Sequence, residues 1–406
     1  MNSTQYVGGW QRLRLKFITR LAYGDSLPSE LRREGSVPVF GSNGIVGTHD
    51  CPNTRGPVIL VGRKGSFGKI QWSEQAAFGI DTTYFIDSRH SRASLRWLYY
   101  ALQTLNLDAV SQDTGVPGLS REVAYESILA VPPAEAQAKI AAFLDRNTAA
   151  IDELISKKEQ AATLLAEQRQ TILTRAVTTG LDSDVPTRLS DVATLGRTPL
   201  HWDTVRLKHV VARIVDCPHS TPEYEDDGDC IVVRTSDVDR GRLDLERARR
   251  CSWATYWERT ARMAPAFGDI LYSREGERFG MAALVPDRVP ICLGQRMMIF
   301  RVGARVDPMF LMWFLNSASA YAQVVQDTVG ATSPRVNIPT VANIWIPLPP
   351  LDAQRAIASF VSTEVGRIDA IRDRIDASIH TLNQYRQSLI TAAVTGKIDV
   401  TREEAA

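Results

Sequence analysis

Apolar residues recur at alternating spacings of three and four along two long stretches of the chain. One carries Ile368, Ile371, Ile375, Leu382, Tyr385, Leu389 and Ala392; in the same frame the other carries Ile151, Leu154, Lys158, Ala161, Leu165, Gln168 and Ile172. This spacing predicts two long amphipathic helices. It also writes a heptad seam, wide in the later helix and interrupted by Lys158 and Gln168 in the earlier one. The two are copies of one segment. At a constant offset Pro132/Pro349, Gln137/Gln354, Ile140/Ile357, Phe143/Phe360, Ile151/Ile368, Asp152/Asp369, Leu165/Leu382, Arg169/Arg386, Gln170/Gln387 and Val177/Val394 coincide.

Such helices either pack on separate cores or pack on each other, and the seam favours the second arrangement. About 45 helical residues span roughly 65 Å. The linker 183–198 reaches at most about 55 Å even when extended. It cannot comfortably run back along the first helix, so the second helix is expected to return antiparallel to it.

The segments between the helices repeat more faintly. Trp10-Gln-Arg-Leu-Arg-Leu-Lys16 matches Trp202-Asp-Thr-Val-Arg-Leu-Lys208. Each segment then has a glycine before a β-type run (Gly56–Val61; Gly268–Tyr272) and an aromatic helix candidate (Trp97–Leu102; Phe310–Leu315). A glycine-containing loop follows in each (113–118; 327–332), then an apolar strand into a double proline. The order is globe, helix, globe, helix. The expected boundaries are a first globe at 1–131, a helix at 132–182, a linker at 183–198, a second globe at 199–348, a helix at 349–399 and a tail at 400–406.

This layout, with its Pro-Pro-x-x-x-Gln-x-x-Ile-x-x-Phe start to each helix, resembles the specificity subunit of type I restriction-modification systems. Val39–Gly47 in the first globe resembles motifs of that family's target-recognition domains, as do Asp216–Pro222 and Ile231–Asp237 in the second. Ala136 and Ala353 stand before the helix-start glutamines where Glu is usual. The resemblance implies an α+β fold, with two mixed α/β target-recognition domains separated by two long helices in an antiparallel coiled coil. It further implies a cytoplasmic, non-catalytic subunit that reads a bipartite DNA site and docks two methyltransferase subunits. Restriction subunits complete that complex, and S-adenosylmethionine, ATP and Mg belong to the partners.

Several loops offer chemistry for DNA reading, each beside a plainer role. Ser42 and Asn43 lie in a Gly-flanked turn; asparagine bonds adenine bidentately but is also an ordinary turn former. Arg63, Lys64 and Ser66 sit between glycines beyond a strand, placed for guanine or phosphate or simply solvated. His219, Ser220 and Thr221 lie between two prolines, as readers or as a structural turn. Arg234, Thr235 and Ser236 follow an apolar strand, as do Arg274 and Arg278; Arg335 and Asn337 follow a glycine loop. The run Arg247, Arg249, Arg250 reads as a solvated face.

Charge narrows the reading. The whole chain carries +1, the first 130 residues +3 and residues 199–346 zero. DNA binding therefore has to depend on clustered rather than bulk charge. No apolar run approaches the ~18 residues a membrane span needs, and no signal core is evident at the N-terminus. Five widely spaced cysteines fit a reducing compartment better than disulfides or zinc.

Catalytic motifs fail on inspection. The double prolines lack the Asn/Asp-Pro-Pro-aromatic form of adenine methyltransferases. Gly62–Lys69 has one residue too many for a P-loop, and Ile70 stands where Ser or Thr is needed. The histidines show no close metal spacing. Two other classes remain as alternatives: a self-sufficient restriction or methylation enzyme, and a coiled-coil scaffold for protein ligands.

Overall fold

The computed structural model describes residues 10–109, 118–276, 278–326 and 335–400. The glycine-containing loops read at 113–118 and 327–332 lie, apart from Gly118, outside them. The chain forms two compact units, one of Met1–Glu159 with Asp376–Ala406, the other of Gln160–Ile375.

In the first unit the strands are β1 (Gln11–Arg14), β2 (Ala22–Tyr23), β3 (Val37–Gly41), β4 (Gly44–His49) and β5 (Val58–Gly62). They continue with β6 (Ile70–Ser73), β7 (Phe78–Gly79), β8 (Thr83–Ile86) and β9 (Ile128–Val131). The helices are α1 (Leu15–Ile18), α2 (Leu95–Leu102), α3 (Arg121–Glu126) and α4 (Ala134–Thr179), the last of 46 residues and continuing into the second unit. The apolar run of β5 is buried throughout, which places it inside an antiparallel sheet ordered β2-β8-β5-β6. A second sheet, β4-β3-β7, pairs β3 with β7 in parallel. β1 pairs antiparallel with β9.

The second unit opens with β10 (Thr187–Leu189), β11 (Arg197–Pro199), β12 (Asp203–Arg206), β13 (Val211–Asp216) and β14 (Cys230–Val233). Next come β15 (Val238–Asp239), β16 (Arg242–Leu243), β17 (Arg249–Cys251), β18 (Ile270–Ser273) and β19 (Ala282–Leu284). β20 (Ile291–Leu293), β21 (Met297–Val302) and β22 (Trp345–Leu348) complete the strands. Its helices are α5 (Trp253–Thr260), α6 (Pro308–Leu315), α7 (Ala318–Val325), α8 (Ile338–Ala342) and the 44-residue α9 (Leu351–Val394), which continues into the first unit. Its two larger sheets repeat those of the first unit in strand order. The order β13-β21-β18-β19 answers β2-β8-β5-β6, and β17-β14-β20 answers β4-β3-β7, again with one parallel pair. β12 pairs with β22 as β1 does with β9. The faint repeat of the globes is thus a repeat of their main sheets, to which the second adds the pairs β10–β11 and β15–β16.

The residues that coincide between the two long helices hold each globe in place. Gln137, buried at the start of α4, donates from Nε2 to Pro132 O (2.9 Å) and accepts the Ser94 N–H (2.8 Å) before α2. Gln354, fully buried, donates to Pro349 O (2.8 Å) and accepts the Asp307 N–H (2.7 Å) before α6. The far end of each aromatic helix is tied to the other long helix. Gln387 donates to Gln103 O in the first unit (3.2 Å) and Gln170 to Asn316 O in the second (3.3 Å). Gly396 (φ +71°) closes against Trp10, and Gly180 (φ +83°) against Trp202, where a Cβ would meet the indole at 3.1–3.2 Å.

Each unit thus joins the start of one long helix to the end of the other, so the two helices run antiparallel in both. Asp152 meets Arg386 at 2.9 Å in the first unit and Arg169 meets Asp369 at 3.0 Å in the second. These are the same two repeat positions, exchanged between the copies. The helix ends also bury themselves in the globes: Ile140, Leu144, Ile390 and Val394 in one core, Leu173, Val177, Ile357 and Val361 in the other. The two packing alternatives therefore combine.

The expected seam needs correction in its middle. Ile151 and Ile368 are buried, and Leu165, Ile172, Ile375, Leu382 and Leu389 are half-buried. Leu154, Ile371 and Tyr385 are exposed. Two helices cover only a narrow stripe of each other, so the wide stripe read from the sequence spills onto the surface.

Gln354→Leu keeps roughly the volume but leaves the Asp307 N–H and the Pro349 and Arg305 C=O groups without this partner. The expected loss is about 1–3 kcal/mol for each group left unpaired, read from urea unfolding of the full chain. A loss under ~0.5 kcal/mol, within the range of surface substitutions, would mean that water or a neighbour replaces the glutamine.

Candidate nucleic-acid interface

In the first unit two loops meet at one end of the sheets. The hairpin between β3 and β4 turns at Ser42–Asn43, and the loop leaving β5 runs from Arg63 to Lys69. Gln71 Nε2 donates to Gly41 O (3.0 Å) and Ser42 O (3.3 Å), and Lys69 Nζ to Asn43 O and Oδ1 (both 2.9 Å). Gly62 permits the approach: a Cβ there would lie 2.3 Å from Ser66 O. Ser42, Asn43, Lys64 and Ser66 are thereby gathered, with Asn43, Lys64 and Ser66 exposed. Lys69 takes one of the two acceptor positions of Asn43 Oδ1, and the exposed side chain keeps the other and its NH₂.

Arg63 is fixed through its backbone, its N–H donating to Thr82 O and its C=O accepting from Leu119 N (both 2.8 Å). Its guanidinium donates to Asp81 O (2.9 Å) and lies 4.9 Å from the ring of half-exposed Tyr23. The Arg121 guanidinium lies 4.8 Å from the same ring. Among the described residues Arg63, Lys64 and Lys69 form no ion pair with a carboxylate. The end of this globe is a cationic, hydroxyl-bearing surface on an aromatic support, suited to base edges and phosphates.

The second unit builds the same frame with other chemistry. Arg274 follows β18 as Arg63 follows β5; its N–H donates to Arg296 O (3.1 Å) and its C=O accepts from Val336 N (3.0 Å). Its guanidinium, however, is committed to Asp216 (3.1 and 3.4 Å), with the side chain only 13% exposed. Arg234 is likewise held by buried Asp237 (3.0 and 3.2 Å). Arg278 is held by Asp239 (3.2 Å) and Val238 O. Each of these three arginines that follow apolar strands is thus paired with an aspartate. Ser236 donates to Asp237 (2.8 Å) and Thr235 is half-buried. Arg234, Ser236 and Arg278 line one groove of about 750 Å³ with Arg242, Arg247 and four carboxylates, a balanced rather than a cationic surface.

The reach outward falls to other residues. His219 and Thr221 are exposed on the loop after β13, where His219 Nε2 sits 3.4 Å from Asp216. Gln295 Nε2 donates to His219 O (2.8 Å) and Thr221 Oγ1 (3.2 Å), while Ser220 accepts from Arg259 through O and Oγ. The backbone of exposed Arg335 forms an antiparallel β-bridge with that of Glu275, next to Arg274, and exposed Asn337 begins α8 without a side-chain cap. Arg247, Arg249 and Arg250 are all exposed, Arg249 lying 4.7 Å from the Tyr224 ring and Arg250 donating to Gly228 O.

Metal and thiol chemistry find little to work with among the described residues. His49, Asp50 and Cys51 place ligand atoms within 4.8 Å of one another. His49 Nδ1 accepts from Arg33 N (3.0 Å), which leaves the proton on Nε2 facing Asp50 (3.2 Å), so neither nitrogen is free. Burial pushes the thiols of Cys217, Cys230, Cys251 and Cys292 up, which keeps them neutral.

Tyr23, Lys69, Arg121, Arg259 and Gln295 escaped the sequence reading. Arg259 alone left a local signal, a charged residue in phase with Tyr256 and Thr255 on the inward face of α5. The others act across long separations that periodicity does not register.

Two of the matches to known proteins span most of the chain. The type I restriction enzyme EcoBI specificity subunit of Escherichia coli is 24% identical over 413 residues, covering 96% of this chain and 86% of that one. The MjaVIII specificity subunit of Methanocaldococcus jannaschii is 23% identical over 313 residues, covering 75% and 70%. A chain solved in work on complex assembly and conformational transition of the type I R-M system shares the fold, with a TM-score of 0.66. It is 16% identical, covering 97% of this chain and all of that one. The family model for the type I restriction modification DNA specificity domain matches twice, over residues 8–164 and 199–380. Each match takes in one globe and most of the long helix that follows it, and the chain belongs to that family.

Proposed function

We propose that this specificity subunit reads a bipartite DNA site, one half with each globe, and docks two methyltransferase subunits that carry out the chemistry. Restriction subunits join through them in the cytoplasm of a bacterium or archaeon. The observation that carries the reading is the repeated frame. Both globes set an arginine directly after the same central strand, in the same backbone hydrogen bonds, beside an exposed polar loop. The differing surroundings of Arg63 and Arg274 then let two copies of one fold prefer different sequences. S-adenosylmethionine, ATP and Mg are assigned to the partner subunits, as the resemblance to the family implies.

The chain purified alone is expected to neither methylate nor cleave DNA. With a methyltransferase partner and S-adenosylmethionine it is expected to direct methylation to one interrupted motif, mapped by long-read sequencing. Methyl transfer by the isolated chain would overturn the reading.

A further inference from the structure

α5 has no counterpart in the first globe, where only residues 50–57 separate β4 from β5. Its inward face carries an arginine, Arg259, that is 5% exposed. Among the described residues this guanidinium meets no carboxylate. Nε donates to Leu293 O (2.7 Å), Nη2 to Pro218 O (3.3 Å), and Nη1 to Ser220 O (3.1 Å) and Ser220 Oγ (3.4 Å). Three of these four bonds grip the loop that presents His219 and Thr221. A buried cation satisfied only by neutral oxygens is costly to keep, and a neutral side chain would fill the space at lower cost. Its fork nevertheless fits the loop at two carbonyls two residues apart.

We infer that Arg259 is a positioning residue for DNA reading by the second globe. It fixes the Pro218–Ser220 backbone, so that His219 and Thr221 meet the bases in one orientation, and it lends the loop an uncompensated positive charge. From the outer side Gln295 holds the same loop, at His219 O and Thr221 Oγ1. The inference rests on the proposed bipartite reading and adds the element that gives the second half its sharpness.

The test uses the full chain in complex with its methyltransferase partner, mapping every methylated site for the unsubstituted, Arg259→Met and Arg259→Lys chains. Arg259→Met is expected to leave the first half of the motif unchanged. Discrimination at one or two positions of the second half should fall on the order of ten- to a hundredfold. It should also lessen the salt dependence of binding, because a charge near the phosphates is gone. Arg259→Lys keeps the charge without the fork, and is expected to retain the salt dependence while still relaxing the second half.

An Arg259→Met complex with an unaltered motif and salt dependence would overturn the inference. If Arg259→Met does not fold, Gln295→Ala, at the surface, takes its place: relaxation confined to the second half supports loop positioning, and an unchanged motif overturns it. Loss of sharpness in both halves also overturns it. A complex of the unsubstituted chain that methylates no interrupted motif instead overturns the bipartite reading itself.

Discussion

Asp369→Ala is expected to cost about 3–5 kcal/mol, the penalty for stranding a buried charge, whereas the same change at its repeat partner Asp152 is expected to cost about 0–1 kcal/mol. Arg169 is 3% exposed; it donates from Nε to Asp369 (3.0 Å) and from Nη2 to Arg240 O (2.9 Å), and lies 5.9 Å from the Trp313 ring. Burial pulls its pKa down and Asp369 acts against that. Without the carboxylate the cation keeps the burial and loses its counter-charge. Nη1 already has no partner, so the site has little slack. The Asp152 side chain is 54% exposed and Arg386 22%, so water replaces much of what is lost there. Urea unfolding of the full chain, followed by tryptophan fluorescence, compares the two variants. Equal losses would mean that burial does not set the value of this pair. The double variant Asp369→Leu, Arg169→Met should recover part of the loss, since apolar replacement of a buried pair is often close to neutral.

The long helices were legible because their signal is local and repeated twice: spacing, absent breakers and a constant offset. The offset pointed further than periodicity alone. Gln137, Asp152, Arg169 and Gln170 coincide with their copies because each holds a globe or the other helix, and that explains polar residues recurring where a seam should be apolar. The seam itself was over-read at Leu154, Ile371 and Tyr385, since heptad spacing does not say how much of a stripe the partner covers. At the interface the sequence located the loops but not the state of their side chains. Arg63 and Arg274 look alike in sequence, both ending an apolar strand. Only the fold brings Asp216 to one and Tyr23 to the other, from strands far away in the chain. Arg234 lies three residues from Asp237, a local spacing that the sequence itself registers.

Four residues inserted into both long helices where the two units divide, after Glu159 and after Ile375, are expected to lengthen the gap in the methylated motif by one or two base pairs. Both helices pass from one unit to the other at these points. Neither insertion touches a globe core, whereas Val177, near the end of α4, is fully buried with Trp202 in the second core and is no place for an insert. Matched inserts keep Asp152 opposite Arg386 and Arg169 opposite Asp369, because each pair lies on one side of the cut. Four helical residues add about 6 Å and about 40° beyond a full turn, and coiled coils absorb such a stutter by local unwinding. DNA rises about 3.4 Å and turns about 35° per base pair, so one or two added pairs match the new length and come near the new angle. Two-residue inserts would rotate one head by about 200° and should abolish methylation. The half-site sequences should stay the same, since no reading loop is altered. An active four-residue variant whose gap is unchanged would mean that the helices do not set the spacing. A changed half-site would mean that the globes do not read independently of what joins them.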